Sequence, residues 1–387
     1  MDLRTLPDGL TPEQRCNERR TRMEKSLSLD FSSLKPSHDI GQADEKNCEQ
    51  MFGTVPLPVG YAGPLSVTFS SKETSEIHLP LATTEGALVA SVNRGCKAVS
   101  MSGGAKTSSV HHGISRSLAF RARAPARARE LIGGSAKIWM PIAQATSQHL
   151  KVLRYELDES ADHLFLTLFC DTDEAMGMNM VTIAAQAVGE WIAANIEGVE
   201  FITVAGNVDS DKKPSARIHA RGRGYEATAE VTLTPEVIHD VLKSTPEQML
   251  VVAEAKLKHG SQIAGAIGSN LHAANIIAAL YLATGQDAAH VVEGSMTDTD
   301  VSAATTPASS LRISVRCPAL LIGIRGGGTT LPAQSQCLKM LLHPKTSLHL
   351  KAQLAQSIGA AVLAGEISLL AAQAGHSLAS AHGKLGR

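Results

Sequence analysis

Aromatic side chains are scarce: seven Phe, four Tyr and two Trp make up 3% of the 387 residues. A chain so poor in rings lacks the stacking platforms on which single-stranded nucleic acids are bound. Its core must be built from Ala, Val, Leu, Ile and Met. Charge of one sign is also missing, since 36 Lys and Arg face 37 Asp and Glu for a net charge of −1. That disfavours a dedicated nucleic-acid binder, which needs a basic face, and equally a disordered acidic chain. The six cysteines are scattered without a C-x-x-C pair, which argues against a zinc site or a disulfide framework. No apolar core follows the opening Met-Asp-Leu-Arg-Thr-Leu-Pro-Asp-Gly, so no signal peptide is expected. The two most apolar stretches, 262–284 and 354–378, carry His, Asn, Gln or Glu within the run. They read as buried helices rather than membrane spans. The expectation is a soluble, cytoplasmic protein with no nucleic-acid or membrane partner. The signatures G-x-G-x-x-G, the phosphate loop, H-E-x-x-H and G-x-S-x-G are likewise absent. Zinc-protease and serine-esterase chemistry therefore have no support, and no metal is expected.

What is present is glycine, 32 residues of it, and many Ala-rich runs, the material of closely packed helices and backbone-built loops. Residues 1–50 read as a polar helical arm. Val55–Pro64 holds three prolines and two glycines, which forbids a helix. A strand-like segment follows at Leu65–Ser70. A helix is expected from Thr83, a candidate N-cap, to about Gly95. His163–Cys170 reads as a strand, Met178–Asn195 as an Ala-rich helix, and Val199–Val204 as a buried strand before a polar loop. Residues 225–233 and 312–324 alternate like strands. The apolar run 262–284 reads as one helix stopped by Gly285, and an Ala-rich helix spans about 351–382. Arg121, Arg123, Arg127 and Arg129 read as a solvated surface segment.

A few polar groups sit in otherwise apolar surroundings. Glu85 falls in the first turn of its expected helix, where an acid complements the dipole. Lys212 and Lys213 precede Pro214 in a loop. Asp287 follows Gly285 at a helix C-terminus, where a carboxylate is unfavourable and calls for a cationic partner. His376 and His382 lie near the end of the chain. Each alone is unremarkable: a capping acid, a solvated turn, two surface histidines.

Together they carry a resemblance. Leu81-Ala-Thr-Thr-Glu-Gly-Ala-Leu-Val-Ala-Ser-Val-Asn-Arg-Gly-Cys96 resembles the active-site segment of 3-hydroxy-3-methylglutaryl-coenzyme A (HMG-CoA) reductases. So do Pro58–Pro64, Glu174–Met180, Asp211–Pro214, His272–Asn275 with Gly285–Asp287, and Gly326–Thr329. Order and spacing agree over about 45–387, and the Thr-Thr-Glu-Gly and Asp-Lys-Lys-Pro variants look class I-like. The resemblance implies reduction of HMG-CoA to mevalonate and CoA by two NADPH, through mevaldyl-CoA and mevaldehyde. It gives Lys212 to the carbonyl oxygen, Glu85 to proton supply and Asp287 to hydrogen bonds with both. A C-terminal histidine protonates the CoA thiolate, with His382 the better match and His376 the other candidate. Arg116, Lys213 and Lys256 fall to the substrate carboxylate, Ser91, Asn93 and Arg94 to the CoA side, and Asn275 to the carbonyl site. The cofactor falls to Glu174, Met176, Gly177, Met178 and Asn179 with Gly326, Gly327, Gly328 and Thr329.

The fold implied is α+β. An arm (1–53) leads to a large HMG-CoA-binding domain (54–117 and 215–387). Into it is inserted a small ferredoxin-like NADP-binding domain (118–203), joined by a catalytic loop (204–214). A homodimer or dimer-based tetramer is implied, with active sites at the subunit interface. Three residues depart from the family's usual pattern: Ala205 replaces a serine, Glu174 an aspartate, and Arg325 a small apolar residue. NAD-linked mevalonate oxidation and a silent CoA-ester-binding homologue are the alternatives.

Overall fold

A computed structural model describes residues 2–37, 39–305, 309–343 and 347–375. Its strands form one mixed nine-stranded sheet in a mixed α/β fold. Strands β1 (Val59–Thr68) and β2 (Thr74–Ala82) pair as an antiparallel hairpin. The 18-residue β3 (Ala105–Ala122) is the hinge of the architecture. Its Lys106–Gly113 half pairs with β7 (Gly224–Leu233), and its Ile114–Ala122 half pairs with β5 (His163–Asp171) and β6 (Val199–Thr203). Strand β4 (Lys151–Ser160) flanks β5, while β9 (Ser310–Leu320) lies between β7 and β8 (Asp298–Ala304). All these pairs are antiparallel except a short parallel contact of β1 with β3.

Two hydrophobic cores lie along β3. Helices α2 (Leu88–Met101), α6 (Ala273–Thr284) and α7 (Leu350–Ala374) fill the larger with Val92, Ile276, Val362 and their neighbours. The smaller holds α3 (Pro125–Gly134), α4 (Ala136–Ala145) and α5 (Met178–Asn195), with Trp139, Leu166 and Val188 inside. Helix α1 (Pro12–Leu27) opens with a capping box on Thr11 and docks through Cys16, beside Ile40, Ala43 and Met51.

The wealth of small residues has a visible use. A Cβ at Gly95 of α2 would lie 1.8 Å from the carbonyl oxygen of Ala364 in α7, so the two helices cross at backbone contact. Among the described residues α7 alone is long and apolar enough to cross a membrane, and 94% of that apolar window is buried inside the fold. Its Glu366 is fully buried and accepts from the Leu271 and His272 amides at 2.7 and 2.8 Å and from Thr299 Oγ1 at 2.8 Å. This carboxylate satisfies donors that no side-chain cap covers at the start of α6.

Several boundaries differ from expectation. Helix α2 begins at Leu88, after Ala87 at φ 69°; Thr83 instead accepts from the Glu85 amide and closes a turn. Glu85 therefore stands on a loop before the helix. The run 262–284 is not one helix, because Gly265 and Gly268 take left-handed φ of 63° and 84°. Gly285, at φ 71°, ends α6 as expected. Strand β6 stops at Thr203 and is only half buried, and β9 stops at Leu320.

Candidate active site

Lys212 sits in the loop between β6 and β7 with a left-handed φ of 57°, a conformation that costs a non-glycine residue energy unless its surroundings impose it. Two carboxylates do so. The Lys212 backbone amide donates to Glu293 Oε1 at 2.5 Å, and its ammonium lies 2.8 Å from Asp287 Oδ2. Asp287 has the cationic partner its position demanded. The helix-end penalty is smaller than expected, however, because Asp287 also caps the following turn through the Ala289 amide at 3.0 Å. Partial burial acts to raise its carboxyl, but the Lys212 ammonium and the Ala289 amide outweigh this and hold it below the usual carboxylate range.

Behind this pair lies a buried network that motif reading missed. Arg223, Glu293 and His290 are all fully buried. Arg223 Nη1 donates to Glu293 Oε1 and Asp211 Oδ1, both at 3.0 Å, and Nε to Ser115 Oγ at 2.9 Å. His290 Nδ1 is 3.3 Å from Glu293 Oε1, and its Nε2 is 3.7 Å from Asp287 Oδ2. The signal available in sequence was an Arg between two glycines and a His and a Glu three residues apart, too common to single out. Asp211, His290 and Glu293 bring ligand-type atoms within 4.8 Å of one another. The Arg223 guanidinium already bonds both carboxylates, so this is an ion-pair network rather than a metal centre. Burial acts upward on both loop aspartates. At Asp209 it prevails over Arg223 and Arg116 and the carboxyl is raised, whereas Arg223 holds Asp211 down.

Asn275, in the first turn of α6, donates to Glu85 Oε1 at 3.2 Å. Among the described residues no hydrogen bond joins Glu85 to Asp287, contrary to expectation. The other candidates divide into two groups. Arg116 lies 3.6 and 3.7 Å from Asp209 and Asp211, and Lys213 Nζ donates to the Asp211 carbonyl at 3.0 Å. Ser91 Oγ and Arg94 Nε meet at Ser368 Oγ, each at 3.0 Å, while Asn93 accepts from the Gly63 amide at 2.9 Å. Burial lowers the Arg94 guanidinium from its ordinary range. Lys256, the third residue expected at the carboxylate, donates to Gln373 near the end of α7 at 3.0 Å. His376 and His382 lie outside the described residues.

The two segments expected to hold the cofactor are bound to each other and to the Asp287 turn. Ile324 donates to the Glu174 carbonyl at 2.8 Å, and Ala175 bridges to Arg325. Gln286, next to Asp287, exchanges hydrogen bonds with the Gly323 backbone at 2.8 and 3.0 Å. Gly285 and Gly328 touch so closely that a Cβ on either would fall within 3 Å of the other's backbone. A Cβ on Gly326 or Gly327 would meet nothing within 4 Å, so ligand atoms can reach that backbone. Gly177, at φ 93°, opens α5 with no side-chain cap, leaving the amides of an 18-residue helix N-terminus free for an anion. Met178 is buried, whereas Met176 and Asn179 are not. This donor set fits a phosphate-bearing dinucleotide. Two of the departures also face each other, with Arg325 Nη1 3.8 Å from Glu174 Oε2. The expected surface arginines Arg121, Arg127 and Arg129 pair with Glu200, Glu130 and Glu159.

Comparison with known proteins agrees over nearly the whole chain. The pattern of the hydroxymethylglutaryl-coenzyme A reductase family matches residues 15–387. The 3-hydroxy-3-methylglutaryl-coenzyme A reductase of Methanocaldococcus jannaschii is 39% identical over 378 residues, 95% of this chain and 92% of that protein. A reductase of Dictyostelium discoideum is 36% identical over 94% of this chain and 67% of its own length. Among solved structures, the NADPH-bound class II reductase of Streptococcus pneumoniae superposes with a TM-score of 0.69. It is 18% identical, with 92% of this chain and 96% of that one covered, a likeness of fold. The comparisons establish the family but not the class I-like label: the relatives' names carry no class, and the class II structure, at 18% identity, is a likeness of fold.

Proposed function

The chain belongs to the hydroxymethylglutaryl-coenzyme A reductase family, and from that premise we propose that it reduces HMG-CoA to mevalonate and CoA with two NADPH. The reaction is the reductase step of the mevalonate pathway. The observation that carries the reading is the Lys212–Asp287 contact, built on a turn that is hydrogen-bonded to Gly323, just before the glycine run.

NADPH supplies the hydride when bound; Glu174, Met176–Asn179 and Gly326–Thr329 would hold it. The protein's own task is charge and protons. As the substrate carbonyl becomes an oxyanion, the Lys212 ammonium stabilises it more than the neutral ground state. Asp287 aims that ammonium, and Glu293 fixes the backbone from which it extends. Glu85, positioned by Asn275, delivers the proton to the oxygen. The departing CoA thiolate takes a proton from the C-terminal histidine, for which His382 is the choice. Arg116 and Lys213 serve the acyl carboxylate from the Asp211 loop. Ser91, Asn93 and Arg94 serve the CoA side, beside α7. Lys256, whose ammonium donates to Gln373, is assigned with Arg116 and Lys213 to the acyl carboxylate.

The division into an arm (1–53), a large domain (54–117 and 215–387), a ferredoxin-like insert (118–203) and a catalytic connecting loop (204–214) accords with the two cores flanking β3. Cytoplasmic location, NADPH over NADH and a dimer-based assembly complete the proposal. Purified protein should oxidise NADPH only when HMG-CoA is added, followed at the nicotinamide absorbance band. Absence of thioester-dependent oxidation would sink the assignment.

A further inference from the structure

Lys351, in the first turn of α7, is 1% exposed and has no part in the chemistry above. Burying an ammonium is costly, and among the described residues no carboxylate hydrogen-bonds it in return. Its Nζ instead donates to the Ala175 carbonyl at 3.0 Å and to Thr172 Oγ1 at 3.3 Å. Thr172 is itself fully buried, and its hydroxyl reaches the carbonyls of Ala175 and Met176 at 2.8 and 3.1 Å. Gly177 is pressed against the same threonine, since a Cβ there would lie 2.4 Å from it. One ammonium thus anchors, from beneath, the whole turn Thr172–Gly177 that leads into the uncapped end of α5. Other charged or titratable groups around it are Asp171 at the end of β5, Asp173, His111 on β3, Tyr225 on β7 and His349 at the start of α7. The Tyr225 ring centroid is 5.8 Å from Nζ.

We propose that Lys351 is a positioning residue for NADPH, holding the Glu174–Gly177 turn in its cofactor-binding conformation without touching the cofactor. The inference rests on the assignment of that turn to the cofactor. It explains why a costly buried cation is kept where an apolar side chain would pack more cheaply. Burial pushes the Lys351 ammonium down to about 8, against the upward pull of Asp171 and Asp173. Its proton is thus held less tightly folded than unfolded, so the charged form subtracts from stability at neutral pH. A residue kept for stability alone would behave in the opposite way.

The test is NADPH binding to the full-length chain, followed by nicotinamide fluorescence, for the unsubstituted protein and Lys351→Met. The substitution should weaken NADPH binding by about tenfold, the scale of lost hydrogen bonds to a charged donor. It should leave the KM for HMG-CoA within about twofold and the Tm at pH 7 no lower, because a buried charge is removed. The unsubstituted protein should lose affinity as pH rises through about 8, and Lys351→Met should lose that step. Unchanged NADPH affinity in the variant, or a lowered Tm with both substrates weakened together, overturns the proposal. If the variant does not fold, absence of the pH step in the unsubstituted protein overturns it. Should the unsubstituted chain bind no NADPH at all, the cofactor reading fails and the proposal falls with it.

Discussion

Lys212 is held twice, at its backbone by Glu293 and at its tip by Asp287, and the two contacts predict different defects. Lys212→Ala removes the oxyanion's partner, so kcat should fall by about 10²–10³; the side chain is 41% exposed, so circular dichroism should not change. Glu293→Gln keeps the shape but removes the charge facing Arg223. It should lower kcat by roughly tenfold or more through misplacement of Lys212. It should also cost about 1–3 kcal/mol in denaturant unfolding, because buried Arg223 keeps Asp211 but loses one of its two close carboxylates. Asp287 gives a signed pH prediction. Its folded carboxyl lies below its ordinary 3.8, so its contribution is present above that value and disappears as pH falls through the depressed one. The stability gap between the native chain and Asp287→Asn should hold steady over about pH 5–7 and close only in stronger acid. Thermal melts across pH would show this; a gap already closing near neutrality would contradict it.

At the level of elements, packing set what periodicity could not. Met178–Asn195 was legible to the residue, because its apolar positions and the flanking glycine agree. The helix expected at Thr83 was displaced to Leu88, since Thr83 closes a turn around Glu85 and a left-handed Ala87 precedes the helix. That shift moves the proposed proton donor from a helix to a loop, which no local pattern announces. The catalytic candidates were legible because they recur as a spaced set. Arg223, His290, Glu293 and Lys351 were not, since their meaning lies in partners far away in sequence. Gly95 illustrates the same point. In sequence it looked like the end of a helix, yet it lies inside α2, at the crossing with α7. Gly95→Ala should destabilise the fold by about 3 kcal/mol or more, because backbone rather than a flexible side chain must yield. Unfolding within about 1 kcal/mol of the native chain would show that the crossing tolerates a shift.

Over the whole molecule, the near-zero net charge conceals a strong internal division. Arg116, Lys212, Lys213 and Arg223 gather around the Asp211 loop with Asp209, Asp211, Asp287 and Glu293, a preorganised cluster in which four cations meet four carboxylates. Scarce aromatics leave a core in which helices touch through glycine and alanine, and backbone loops rather than ring stacks present the ligand-facing groups. Both cores meet along β3, and that strand joins the cofactor turn after β5 to the Lys212 loop. The central claim is that these two regions act together in a double reduction of one thioester. Its most direct measurement is the ratio of NADPH oxidised to CoA thiol released during complete conversion of a limiting amount of HMG-CoA. The account predicts two NADPH consumed for each thiol freed, with mevalonate as the product, and no thiol release without NADPH. A ratio of one, or thiol released without oxidation of the nicotinamide, would contradict it.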